Sequence, residues 1–265
     1  MTGAARFRLA HDAPVPEWDS RSWRSPVWDV VGASVVGESH RGSGDPRQDA
    51  FAAAVVGDVA VLAAADGLGS SVYAHVGAQI AADTMVHRLA AVAGGGVPSP
   101  DGPCADGRSW RDVVFHALAD IRAELQPTEA LVDGVMRTLY DTTLLAAVVH
   151  PAGGLFVHVG DGAGLACRGG AGALSDPILS SPENGLFDNE TFPITLPDIT
   201  PHVRFTSFGP AEVVMVMTDG VTPFALEAAG GPLRPRFLQP IDRHLADHGG
   251  PAGAEALAAT LDGPE

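Results

Sequence analysis

Residues 62–89 read LAAADGLGSSVYAHVGAQIAADTMVHRL, and the stretch changes character partway through. It begins as an apolar strand and sharpens to Asp66-Gly67-Leu68-Gly69. It then runs on as a helix, with Val72, Val76, Ile80 and Leu89 at near-helical spacing, and ends at Gly94-Gly95-Gly96. An acidic residue therefore sits where a buried strand meets a glycine turn.

Upstream of this stretch, residues 30–37 (VVGASVVG) are a short apolar run with β-branched residues. Residues 50–66 hold two more such runs joined by Gly57-Asp58, which predicts a hairpin. Residues 1–27 carry prolines and tryptophans with mixed charge and no period. They are expected to form an irregular arm, tethered to the domain through Trp18, Trp23 and Trp28.

Downstream, SWRDVVFHALADIRAELQ predicts a second helix, with Trp110, Val114, Leu118, Ile121 and Leu125 on one stripe. TTLLAAVVH, LFVHVGDG and AGLACRGG are expected to form a three-stranded meander. Residues 175–200 read as a long excursion, and HVRFTSF and EVVMVMTDG as an antiparallel pair joined at Gly209-Pro210. Helical patterns return in RFLQPIDRHLADH and AGAEALAATL. There are no internal repeats and no clear linker in mid-chain. The expected fold class is α+β: two antiparallel β-sheets packed as a sandwich with helices on the outside.

Four aspartates share the junction of an apolar strand and a turn: Asp49 in RQDAF, Asp66 in AAADGLGS, Asp161 in HVGDGAG and Asp219 in VMTDGV. Three are followed by Gly, which permits a sharp turn and lets a carbonyl approach an ion. Asp-Gly alone is a common turn dipeptide, but the recurrence at strand ends points further. Clustered anions repel one another and raise their own pKa values. Hard divalent cations remove that cost, and all-oxygen ligands suit Mg²⁺ or Mn²⁺.

The ordered set SVVGESHRGSGDPRQDAF, AAADGLGS, DTTLLAAVV…FVHVGDG and VMVMTDGV resembles the metal-dependent PP2C-type (PPM) serine/threonine phosphatases. It is most similar to a divergent bacterial subgroup with Gln-Asp in its first motif and DNETF-like residues before the late strands. The resemblance covers about residues 30–222. It implies two Mn²⁺ or Mg²⁺ ions, with a third in some members, sharing a bridging water or hydroxide that attacks phosphorus in line. It also implies that Asp66 bridges both ions, that the Gly67 carbonyl is a further ligand, and that Asp49 and Asp219 are ligands. Asp161 matches a residue that helps to hold the third ion.

The family's first motif carries a phosphate-gripping Arg. The segment here, HRGSGDPRQD, is longer, so Arg41 and Arg47 are both candidates. His40 is a candidate general acid to the leaving oxygen, the alternative being a structural hydrogen bonder. Gln48 stands where the family has Glu. The family ends with an Asp-containing motif opening a last core strand, whereas this sequence closes on AATLDGPE, a helix and a turn. The domain over 28–265 is thus expected to be C-terminally incomplete, its last core strand missing and its activity in that form in question.

Composition narrows the field. The chain has 265 residues, 46% of them hydrophobic, and 16 basic residues against 32 acidic ones for a formal charge of −16. That balance excludes a basic footprint for nucleic acid or anionic membrane. Every basic residue is Arg, so P-loop and Schiff-base chemistry, which need Lys, are excluded. Cysteine phosphatases need Cys-x₅-Arg, but the sixth residue after Cys104 is Trp110 and after Cys167 is Ala173. None of the four aspartates belongs to Asp-x-Asp. The two cysteines fit a reducing compartment, and there is no run long enough to span a membrane and no signal-peptide pattern. A cytoplasmic protein is expected. His244 and His248, at i and i+4, have a spacing that can bind zinc but equally fit a solvated helix face.

The activity these readings imply is hydrolysis of phosphoserine or phosphothreonine esters, with phosphorylated proteins, such as a cognate kinase's targets, as partners. The alternative is a catalytically weak regulatory module of the same fold that binds a phosphoprotein without turning it over. A structural protein that uses Asp-Gly only in turns is the third reading.

Overall fold

The computed structural model describes residues 14–170, 172–183, 191–227 and 231–263. The elements begin with β1 (Trp18–Arg24), β2 (Asp29–Val35), α1 (Glu38–Ser43), β3 (Ala50–Val56) and β4 (Val59–Ala65). Two helices follow, α2 (Ala74–Ala90) and α3 (Trp110–Glu124), then a hairpin of β5 (Glu129–Val132) and β6 (Val135–Thr138). Next come β7 (Leu144–His150), β8 (Gly153–Val159), β9 (Ala163–Arg168), β10 (Ser175–Ser180), β11 (Arg204–Phe208) and β12 (Val213–Met217). The last described elements are α4 (Thr222–Ala225), α5 (Pro235–Asp247) and α6 (Pro251–Leu261).

A central five-stranded antiparallel sheet has the order β11-β8-β7-β4-β3. Strand alternation sends Val61, Ala63, Val148, Leu155 and Val157 to one face, where α2 and α3 cover them with Met85, Leu89, Leu118 and Ile121. All of these side chains are almost completely buried. The periodicity of α3 holds because its buried stripe runs from Trp110 through Val114 to Ile121, and Ser109 caps it by accepting the Asp112 N–H at 3.1 Å.

The opposite face of the central sheet meets a layer in two pieces. One is the three-stranded sheet β10-β9-β12, the other the two-stranded sheet β1-β2. Ala60, Leu145, Ala147, Val149 and Phe156 point into this interface. They meet Val30, Trp23 and Trp28 from the hairpin and Ala166, Val214 and Val216 from the three-stranded sheet. Outside, Phe237 and Leu238 of α5 pack on Leu165, Cys167 and Met217, and α6 packs on β1 and β2. The layered α+β architecture with antiparallel sheets is as expected, and its second layer is split.

Several local expectations change. Trp18–Arg24, read as part of an irregular arm, is a strand paired along its whole length with Asp29–Val35. Trp23 sets its ring edge-on to Phe51 at 6.2 Å, so the hairpin is packed onto the core. Trp23 and Trp28 pack on the core as expected, whereas Trp18 is 54% exposed and tethers nothing. The expected meander breaks after β8, because β9 pairs with β10 and β12 instead. The chain changes layers at Gly160, whose φ of 108° lies in the region that favours glycine.

β11 and β12 do not pair with each other: β11 joins β8 and β12 joins β9, so Gly209-Pro210 also connects two layers. The excursion at 175–200 contributes an edge strand, β10. Residues 188–190 of the DNETF segment lie outside the described residues. The hairpin β5-β6 turns at Asp133-Gly134, both with positive φ, and was not anticipated. Asp262 follows α6 as its C-cap, and no strand comes after it among the described residues. No described helix is long and apolar enough to cross a membrane.

Candidate active site

Three of the four strand-end aspartates converge. β4 ends at Ala65 and delivers Asp66, β12 ends at Met217 and leads through Thr218 to Asp219, and Asp49 immediately precedes β3. Asp66 lies within hydrogen-bonding reach of both Asp49 and Asp219. Burial, then the Asp49 and Asp219 charges, push the Asp66 carboxyl up to about 11. Burial likewise raises Asp49, which its contacts with Asp66 and Thr218 partly offset. Asp161, where the chain passes from β8 to β9, is raised by burial and then by the Asp219 charge. All four line one open cavity of about 2260 Å³, together with Gly67, His40 and Arg41.

Supporting groups hold the backbone of each carboxylate. The Asp66 carbonyl accepts the Thr143 N–H and the Thr142 hydroxyl, both at 2.8 Å, and the Asp66 N–H donates to Thr143 Oγ1 at 3.1 Å. Thr142 and Thr143 are buried and immediately precede β7, so the central sheet fixes the strand end. Thr218 Oγ1 donates to Asp49 Oδ2 at 2.8 Å, and Ser34 Oγ donates to the Asp49 carbonyl at 3.2 Å. DTTLL was legible as a strand. The position-holding role of its hydroxyls was not, because it depends on β4 and β7 being neighbours.

The glycines have a different reason from the one expected. Neither Gly67, Gly162 nor Gly220 has a positive φ. A Cβ at Gly67 would lie 2.6 Å from the Ala74 carbonyl, and one at Gly162 would lie 2.5 Å from the Met217 carbonyl. At those two positions Gly allows close packing beside the carboxylate rather than a sharp turn.

The two candidate arginines separate. Arg47 is buried, donates to the Pro16 and Asp49 carbonyls, and has its pKa lowered by burial. It is a brace for Asp49. Arg41 is partly exposed on α1, lines the cavity, and is ion-paired with Asp262 at the end of α6. His40 also lines the cavity, with Nδ1 3.9 Å from Asp45 Oδ2. His244 and His248 stack their rings at 4.6 Å, far along α5 from the acidic cluster in sequence.

The donor set fits hard divalent cations: clustered carboxylate oxygens with no sulfur or imidazole. Asp161 Oδ1 is buried and has no hydrogen-bond partner among the described residues, an orphan that a cation would satisfy. Among the described residues no three His, Cys, Asp or Glu side chains are placed so as to hold a metal ion as they stand. Asp66 lies within hydrogen-bonding reach of both Asp49 and Asp219, and Asp49 feels the Asp219 charge.

Comparison with known proteins decides the family. A family model described as protein phosphatase 2C matches residues 36–262. The chain belongs to the protein phosphatase 2C family. Solved structures of similar fold include the serine/threonine phosphatase Stp1 from Staphylococcus aureus, 14% identical with a TM-score of 0.51, covering 93% of this chain and 89% of that one. RsbX in complex with magnesium is 10% identical with a TM-score of 0.53, over 92% and 91% of the two chains. PppA, a regulatory component of the type VI secretion system in Pseudomonas aeruginosa, is 15% identical with a TM-score of 0.52, over 93% and 91%. At these identities the likeness shows the fold. No curated protein sequence gives a match. Members of this family generally use divalent metals and act on phosphoproteins, which agrees with the donor set.

Proposed function

We propose that the protein hydrolyses phosphoserine or phosphothreonine esters of proteins with two Mn²⁺ or Mg²⁺ ions, in the cytoplasm. The observation that carries this reading is the convergence of Asp49 and Asp219 on Asp66 in the wall of an open cavity, in a chain of this family. Asp66 and the Gly67 carbonyl, with Asp49 and Asp219, would hold the two ions, and Asp161 would contribute to a third. When bound, the cations lower the pKa of water and neutralise phosphoryl charge.

The protein's own residues then have distinct tasks. Thr142, Thr143 and Thr218 keep the carboxylates in place. Arg41, once released from Asp262, offers a guanidinium to the phosphate oxygens. His40 is placed to pass a proton to the departing serine or threonine oxygen. The open mouth admits a side chain carried on a protein.

The test is phosphate release from phosphoserine and phosphothreonine peptides by the purified chain, with Mn²⁺, with Mg²⁺ and with chelator. Metal-dependent turnover is expected, with two ions bound by calorimetry. A binding module of the same fold is the second reading, favoured by Gln48 beside Asp49 in the cavity wall. Peptide binding without turnover, and no bound ions, would establish it.

A further inference from the structure

Asp161 enters the cavity wall from the crossover between two sheets, and the backbone that delivers it is Gly160. The Gly160 carbonyl accepts two hydrogen bonds, from Arg204 Nη2 at 2.8 Å and from the Glu183 N–H at 3.0 Å. Arg204 opens β11 opposite His158 of β8, and its Nη1 also donates to the Ser181 carbonyl, just past β10. One guanidinium thus holds the ends of β8 and β10, which belong to different layers.

This cation sits there at a cost. Arg204 is half-buried, and burial lowers its pKa, which the Glu183 charge partly restores. An apolar side chain of the same length would avoid that desolvation. What the guanidinium adds is geometry, because its planar fork reaches two carbonyls at once.

The clasp continues toward the carboxylate. Glu183 Oε2 stands 3.2 Å from Arg204 Nε, an ion pair out of line for a hydrogen bond. Glu183 Oε1 stands 3.4 Å from His202 Nδ1, and the His202 ring stacks on Phe192 at 3.8 Å. Phe192 adjoins Thr191, which is close enough to Asp161 to offset part of the rise in its pKa. The contacts close a ring that starts at Gly160 and returns to Asp161 through Thr191.

Two oxygens are left over inside that ring. Asp161 Oδ1 and Thr191 Oγ1 are both buried, and neither has an aligned hydrogen-bond partner among the described residues. A dry carboxylate oxygen beside a dry hydroxyl suits a hard cation, or a water that such a cation holds.

We propose that Arg204 is a positioning residue for a cation site formed by Asp161 and Thr191, separate from the two ions at Asp66. By gripping the Gly160 carbonyl it fixes the backbone of Asp161 against the segment that carries Thr191. The inference rests on the metal-dependent reading above, and adds to it Thr191 as a ligand and Arg204 as a support. With one carboxylate where the Asp66 group has three, this site binds more weakly.

The test is Mn²⁺ binding to the full chain without substrate, with free Mn²⁺ followed by electron paramagnetic resonance. The parent is expected to bind in two classes, tight and weak. Arg204→Met keeps the length of the side chain and removes its donors. It should weaken the weak class by about tenfold, the loss of a charged hydrogen bond, and leave the tight class unchanged. Arg204→Lys can reach one carbonyl but not two, and should show a smaller loss in the same class. If Arg204→Met does not fold, Arg204→Lys decides. Thr191→Val leaves the clasp intact and should weaken the weak class alone. A parent without a weak class, or arginine variants that leave it unchanged, overturns the inference and leaves the two-ion reading standing. Equal weakening of both classes also overturns it, by making Arg204 a general support of the fold. A parent that binds no Mn²⁺ overturns the two-ion reading and this inference together.

Discussion

The two faces of the central sheet start from the same kind of sequence and end in different states. In β4, Val61 and Ala63 point to the helical face and are 0% and 1% exposed. Leu62, between them, points to the strand-covered face and stays half-buried beside the opening. α2 and α3 close their face because helices bring broad apolar stripes that need no pairing partner. A strand layer is closed only where each edge finds a neighbour. The acidic cluster lies where that layer is open, so the opening that lowers packing also leaves Asp66 bordering the cavity.

The largest expected effect is on the open side. Asp66→Asn should reduce metal-dependent phosphate release by about a thousandfold or more, on the order of 4 kcal/mol of transition-state stabilisation. Without metal the sign reverses. The Asp66 carboxyl is held at about 11 by burial and its acidic neighbours, well above its unfolded value. Its contribution to stability is therefore full below about pH 4 and is lost as pH rises toward 11. The metal-free variant should melt higher than the parent at pH 8, and the difference should vanish near pH 3.5. Unchanged Mn²⁺ affinity with a lower melting temperature would make Asp66 a turn residue and remove the metal site.

A matched pair of truncations tests the comparison directly. Leu89 is fully buried between α2 and the central sheet, so Leu89→Ala should cost about 2–5 kcal/mol in denaturant unfolding. Leu62→Ala removes a side chain that already borders open space, and about 1 kcal/mol or less is expected. Equal costs would mean that the two faces are equally closed in solution.

The same contrast explains what the sequence made legible. Apolar runs, hairpin dipeptides and the helical stripe depend on nearby residues, and β3, β4, α2 and α3 all appeared where their patterns placed them. The four aspartates were legible as a set because each borders an apolar run, Asp49 just before β3 and the other three just after a strand. Strand partnership was not legible, since it is settled between residues far apart. AGLACR reads as the next strand of a meander, yet it leaves its neighbour at Gly160 to found another sheet. β1 was obscured because Trp18, Trp23 and two serines show no clean alternation, and its burial comes from α6 and Phe51 at a distance. Arg41 and Arg47 looked equivalent until Arg47 was found buried against the Asp49 carbonyl.

His158 offers the finest test, because it lies on the strand-covered face where that face is closed. It alternates with Val157 and Val159 along β8 and is 0% exposed, with Nδ1 3.1 Å from Ser180 Oγ of β10. Nε2 has no hydrogen-bond partner among the described residues. Burial first, and the nearby Arg204 charge second, lower its pKa to about 3. In the unfolded chain the imidazole titrates near 6.5, so between these values the unfolded state binds the extra proton. Stability from this group is full above about pH 6.5 and falls as pH drops toward 3, by at most about 1.4 kcal/mol per pH unit. His158→Asn keeps a polar atom for Ser180 and removes the titration. Urea unfolding of parent and variant from pH 7 to pH 4 should show the shallower slope in His158→Asn. Identical slopes would mean that water reaches His158, and that this end of the layer is as open as the gap beside β12.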